Sequence, residues 1–215
     1  MGGVGTVVVV VLLATAISAF ANDPDMLQDV CVADHTSEIL VNGFPCKSMS
    51  NVTAEDFFFT GISKPGKINN LLGSKVTGAN VKGIPGLNTL GVSMARVDFG
   101  PYGLNPPHIH PRATEIIFVL EGELYVGFIT TSNKFISKFI KAGEVFVFPK
   151  GLAHFQKNTS KKQTSVIAAF NSQFPGAQQF VASLFTSTPP VPNLVLAQSL
   201  NIDLHEAEAI RVGLN

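Results

Sequence analysis

The chain has 215 residues, 46% hydrophobic and only 14% charged, and its 15 Lys and Arg balance its 15 Asp and Glu. With no net charge and no basic cluster beyond Lys161-Lys162, there is no field to hold a polyanion, which argues against nucleic acid or an acidic surface as partner. Seventeen Phe and abundant Val, Ile and Leu argue against disorder and provide for one core of ordinary domain size.

In chain order, Val4 to Phe20 is a nearly unbroken apolar run ending in Ala19-Phe20-Ala21, a small-x-small cleavage pattern. Residues 1 to 21 therefore read as a signal peptide, with the mature chain, 22 to 215, starting near Asn22. No Lys or Arg precedes the run, and an uncleaved anchor is the competing reading, at the short limit for spanning a bilayer. Secretion bears on Cys31 and Cys46, the only cysteines. In an oxidising compartment they make a natural disulfide; as two buried thiols they would suit a cytosolic chain. Two sequons follow, Asn51-Val52-Thr53 and Asn158-Thr159-Ser160. Asn51, in a polar stretch, is the expected glycan site, whereas Asn158 follows an apolar strand and is expected to be structurally occupied.

From Phe57 to Leu90 the chain is Gly-rich and irregular, with one or two strands expected. Seven short strands then read from β-branched and aromatic runs between turns: Gly91 to Phe99, Thr114 to Leu120, Glu123 to Ile129, Phe135 to Ile140, Val145 to Pro149, His154 to Asn158 and Ser165 to Phe170. Such spacing predicts an all-β antiparallel sandwich or barrel, with a core over about 57 to 172. Gly122 and Gly143 fall where hairpin turns need positive φ, and Pro149 with Gly151 turns the chain before His154. A helical tail over about 176 to 213 follows, with helical spacing in Gln178 to Phe185 and Leu194 to Leu200, and Asp203 placed to cap a last helix through Ile210. Its apolar surface either closes the barrel or packs on a neighbouring subunit.

Chemistry concentrates in Asn105-Pro106-Pro107-His108-Ile109-His110. Two His at alternate positions of a strand point to one face. Glu115 has the wrong parity for an unbroken strand, but the break at Pro111-Arg112-Ala113 can reset it. His154 opens a later strand that a closed barrel can bring alongside. Lone strand His residues are usually not ligands; here, however, His108, His110, Glu115 and His154 together make a four-ligand cation site with positions open to water or substrate. These residue types suit several transition metals, and the absence of thiolate favours an octahedral, redox-capable ion.

These residues resemble the two cupin motifs. The first is matched at His108, His110, Glu115 and Gly122, with Tyr102 replacing its leading Gly and Gly103 beside it. The second is matched at Gly143, Pro149, Gly151, His154 and Asn158. The chain is further similar to plant germins and germin-like proteins across its mature length. That similarity lies in Asp23-Pro24-Asp25, Cys31-Val32-Ala33-Asp34, Val41-Asn42-Gly43-Phe44-Pro45-Cys46, the box Pro106 to Glu115, and Phe170-Asn171-Ser172-Gln173. The resemblance implies a cupin jelly-roll β-barrel with a C-terminal helical extension, in a secreted glycoprotein of the apoplast or cell wall. It implies manganese held by His108, His110, Glu115 and His154, a Cys31 to Cys46 disulfide, and a hexamer built as a trimer of dimers whose tails clasp neighbours.

Three functions compete. The first is superoxide dismutation at manganese, with Asn105 hydrogen-bonding the bound oxygen species and a role in plant defence or wall development. The second is a non-catalytic cell-wall binding or receptor protein with a structural metal. The third, oxalate oxidation, is disfavoured because true germins carry a substrate-contacting Asn at the position matching Ala95.

Overall fold

The structure, a computed structural model, describes residues 28–214. The expected signal segment and the Asp23-Pro24-Asp25 stretch lie outside them. Among the described residues, no helix is long and apolar enough to cross a membrane.

Among the described residues, ten strands form two five-stranded antiparallel sheets. One runs in the order β1 (Ser74–Ala79), β2 (Ser93–Phe99), β9 (Thr164–Phe170), β4 (Glu115–Glu121), β7 (Val145–Phe148). The other runs β10 (Gln178–Gln179), β3 (Leu104–Ile109), β8 (His154–Lys157), β5 (Glu123–Ile129), β6 (Phe135–Lys141). This is the expected all-β barrel, and alternation explains it. On β4, Ile117 and Val119 are buried while Ile116, Phe118 and Leu120 face outward. On β5, Leu124 and Val126 turn inward. These side chains meet Val97, Phe99, Ile140, Phe148, Val166 and Ala168 in one core between the sheets. Full burial of each Val, Leu, Ile or Phe among them contributes about 1.5–3 kcal/mol.

The irregular segment before β2 supplies the single strand β1 and short 3-10 turns, and it is pinned at separated points. Cys31 and Cys46 form the expected disulfide, beside a bridge between Ala33 and Cys46. The fully buried Asn88 amide donates to the Phe44 carbonyl at 2.7 Å and accepts the Phe44 N–H at 3.3 Å. Further on, Asp98 accepts the Gly66 N–H at 2.8 Å and pairs with Arg96 at 2.8 Å. Burial of Arg96 and Asp98 beneath this segment explains why β2 lacks the alternation of a one-sided strand.

Three helices close the chain: α1 (Phe180–Phe185), α2 (Asn193–Leu200) and α3 (Leu204–Leu214). Gln178 and Gln179, expected to open the first helix, instead pair as β10 with Ile109 and His108 of β3. Asp203 caps α3 as expected, accepting the Glu206 N–H while Glu206 accepts the Asp203 N–H. The helices build a small core of their own from Phe185, Leu196, Ala197 and Ala207, with Val191 and Ile202 against it. Closure of the barrel is therefore not the work of these core positions.

Asn158 is fully buried, its amide donating to Gly100 O at 2.8 Å and Lys162 O at 2.7 Å, with Ser160 bonded to its side-chain oxygen. The expectation of a structurally occupied side chain holds.

Gly122 and Gly143 have φ of +79° and +87°, but their surroundings differ. A Cβ at Gly122 would lie 2.2 Å from Thr164 Oγ1 and 2.9 Å from Gln163 O, while nothing lies within 4 Å of one at Gly143. Gly143→Ala should cost about 1–2 kcal/mol from left-handed backbone alone, and Gly122→Ala distinctly more. Denaturant unfolding of the two variants is the check, and equal losses would contradict this packing account.

Candidate metal centre

β3 carries the first ligands, and two consecutive prolines shape it. Asn105 pairs with Gln156 and His108 with His154, so three steps along β3 match two along β8. Pro106 and Pro107 have no N–H to offer the ladder, and the resulting bulge turns both Asn105 and His108 inward. His110 follows the strand, the chain turns at Pro111-Arg112, and β4 begins on Glu115 with its side chain inward. The parity reset expected from that break is observed.

His108, His110, Glu115 and His154 are all buried, and their ligand atoms lie within 4.8 Å of one another. The Nε2 atoms of His110 and His154 each stand 3.1 Å from Glu115 Oε2. On the far side of each ring, Nδ1–H donates to a backbone carbonyl. His108 bonds Pro106 at 2.8 Å, His154 bonds Leu152 at 2.8 Å, and His110 bonds Gly176. With Nδ1 so committed, every ring keeps Nε2 for the centre. Phe148 stacks on His154 at 4.5 Å and Phe170 lies edge-on to His110 at 4.8 Å, walling the centre with apolar surface.

Electrostatics favour a cation here. Burial opposes the Glu115 charge, but hydrogen bonds from His110 and His154 outweigh it and pull the carboxyl down to about 2. Burial likewise opposes a charged His110, yet the hydrogen bond and charge of Glu115 raise it above 6.5. His108 is pushed down to about 4, first by burial and then by His154. An ionised carboxylate and a raised His110 both mark a place where positive charge is favoured, and a metal ion would supply that charge to three nitrogens at once. Three imidazole nitrogens with an ionised carboxylate fit a transition-metal ion, and the donor types alone do not select which.

A cavity of about 200 Å³ adjoins the cluster, lined by Ala95, Val97, Asn105, Phe170 and Gln179 among others. Asn105 lines the cavity, and its amide donates to Gln156 Oε1 at 2.7 Å. Gln156 in turn donates to Glu115 Oε1 at 3.2 Å. Sequence reasoning overlooked Gln156, although His154-x-Gln156 on one strand face signals it. Gly176 was overlooked too, and its contact with His110 spans 66 positions and leaves no local trace.

The family profile described as Cupin matches residues 60–208. A germin-like protein of Arabidopsis thaliana, subfamily 2 member 4, is 63% identical over 201 residues, 93% of this chain and 91% of the relative. The chain belongs to the germin-like proteins of the cupin family. The rhicadhesin receptor of Pisum sativum is 62% identical over 187 residues, 87% of this chain and 86% of the receptor. Among solved structures, recombinant oxalate oxidase in complex with glycolate superimposes with a TM-score of 0.87 at 46% identity, covering 90% of this germin-like chain and 98% of the oxidase.

Replacing His154 by Ala should abolish most metal binding, and acid should release metal because the imidazoles bind only when neutral. The raised His110 sharpens this, because a proton held on it has to leave before Nε2 can bind metal. Calorimetry in buffers of differing ionisation enthalpy should report proton release on metal binding that declines as the pH is raised, and release independent of pH would contradict this.

Gln156→Leu removes one hydrogen bond to Glu115 and leaves all four ligands. Metal affinity should fall by about 10–100-fold, as read by chelator competition, with the fold retained. Unchanged affinity would make Gln156 a packing residue only.

Proposed function

We propose that this germin-like protein is a secreted, apoplastic manganese protein that disproportionates superoxide at the His108, His110, Glu115 and His154 centre. The observation that carries the reading is the pairing of that cluster with a cavity of only about 200 Å³, lined by no Lys or Arg. Such a space suits a diatomic ion drawn to a cationic centre. The germin-like ligand box supports manganese among the metals that the donors allow.

When bound, manganese would supply one-electron exchange, so that two superoxide ions and two protons become dioxygen and hydrogen peroxide. The protein's part is positional. Glu115, held by Gln156, brings the negative charge that sets the site's potential. Asn105 has a second amide N–H beyond the one given to Gln156, available to hydrogen-bond the guest. Phe148 and Phe170 keep bulk water from the ligand rings.

Oxalate is the poorer substrate. It is a dianion needing several oriented donors, and Ala95, whose methyl lines the cavity, takes the place of the substrate-contacting Asn that the germin resemblance implies. Loss of one such donor costs about a hundredfold or more in rate. Manganese-loaded protein should therefore show superoxide dismutation with little peroxide from oxalate. Robust oxalate oxidation would overturn this ranking. Inactivity toward both would favour the second reading, a cell-wall binding protein with a structural metal, which the 62% identity to the rhicadhesin receptor supports.

Secretion is supported by the signal-like first 21 residues and by the disulfide. Asn51 is exposed, which suits a glycan, and the buried Asn158 does not; mass mapping of secreted protein reads both. Defence or wall development is the process in which such an enzyme would serve.

A trimer of dimers is supported by apolar surface without cover. Ile116, Phe118 and Leu120 of β4 and Val145 and Val147 of β7 are more than two-fifths exposed on one sheet face. In the tail, Val181, Leu194, Val195 and Val212 are half or more exposed. Deleting residues from Gln178 onward should reduce the hexamer to smaller or aggregated species by sedimentation. A full-length chain sedimenting as a monomer would contradict the assembly.

A further inference from the structure

A second cavity lies apart from the metal centre, between the N-terminal segment and the loop after β9. Its volume is about 450 Å³, in the range of small-molecule sites. Leu40, Phe44, Val81 and Phe174 give it apolar wall, Asn42, Ser172 and Gln173 polar wall, and two cations, Lys82 and Arg112, also line it. Lys82 Nζ sits 4.9 Å and Arg112 Cζ 5.6 Å from the centre of the Phe174 ring. Among the described residues neither cation forms an ion pair. Arg112 commits its Nε–H to Phe174 O at 2.8 Å, which leaves the outer guanidinium N–H groups to bind a guest.

We propose that this cavity is a binding site for an amphipathic monocarboxylate, its carboxylate between Lys82 and Arg112 and its apolar body against Leu40, Phe44 and Phe174. Both cations line the one cavity, and an anion bound there gains charge-assisted hydrogen bonds from them. A neutral ligand would gain only the apolar contact.

The site also has a route to the metal centre. Arg112 holds Phe174 O through its side chain and Pro175 O through its backbone N–H at 3.2 Å. The next residue, Gly176, receives the His110 Nδ1–H bond. A guest that draws Arg112 toward the cavity pulls on the loop that fixes a ligand ring, so occupancy changes how fast metal leaves.

Cinnamate, cinnamyl alcohol and acetate are the probes, titrated by calorimetry into metal-loaded, full-length protein. Acetate can reach a metal but has no ring to bury. Cinnamate should bind at least about tenfold more tightly than either, since the alcohol lacks the charge-assisted contact and acetate lacks the apolar one. Lys82→Gln and Leu40→Asp, both at exposed positions, should each weaken it about tenfold. Cinnamate at a concentration that saturates the wild type should change the rate of metal release to a chelator, and at the same concentration it should change it less in Lys82→Gln. Absence of saturable cinnamate binding, or equal affinity in wild type and both variants, overturns the site. Binding with an unchanged release rate overturns the coupling. None of these readouts depends on superoxide activity, so the proposal stands or falls separately from it.

Discussion

Three imidazole rings converge on a single carboxylate in an apolar interior, and each is committed by its Nδ1–H to a backbone carbonyl. That commitment fixes which nitrogen faces the centre, and the barrel's geometry answers to it. Pro106 and Leu152 lie two residues before the histidines they orient, so strand geometry itself aims His108 and His154. His110 differs: its carbonyl comes from Gly176, between β9 and β10. The chain beyond β9 must therefore return along β3 before the centre is complete, and β10 is that return.

The energetic consequence is a site poised between two ways of balancing one charge. A buried carboxylate without compensation would be costly, and His110 and His154, each 3.1 Å away, stabilise it. A metal ion provides the same compensation with higher charge and more partners. The surrounding rings, Phe148 and Phe170, lower the local dielectric and so raise the stakes of either state. Gln156 and Asn105 extend the arrangement outward, tying the orientation of Glu115 to a side chain at the cavity wall.

Much of this was legible in the sequence because the signals are short-range. His108-x-His110 and the Pro111 break give facing and parity within eight residues, and Asp203 with Glu206 gives a helix cap within one turn. Gly122 and Gly143 announce left-handed turns by type alone. What escaped reading arises from register or distance. The bulge at Pro106-Pro107 is visible only when β3 is laid against β8, and it is what turns Asn105 to the same side as His108. Gln178-Gln179 have helical neighbours, yet hydrogen bonding to β3 overrides that local preference. β1 sits in a Gly-rich stretch whose composition resembles loop, and pairing with β2 makes it a strand.

The central claim is that one metal ion is bound by three Nε2 atoms and Glu115 together. Anomalous diffraction at the manganese edge, from crystals of the secreted protein, tests it most directly. One peak per subunit, within bonding distance of the Nε2 atoms of His108, His110 and His154 and of a Glu115 oxygen, is the expected result. A peak elsewhere, or one from which any of these four residues turns away, would contradict the account.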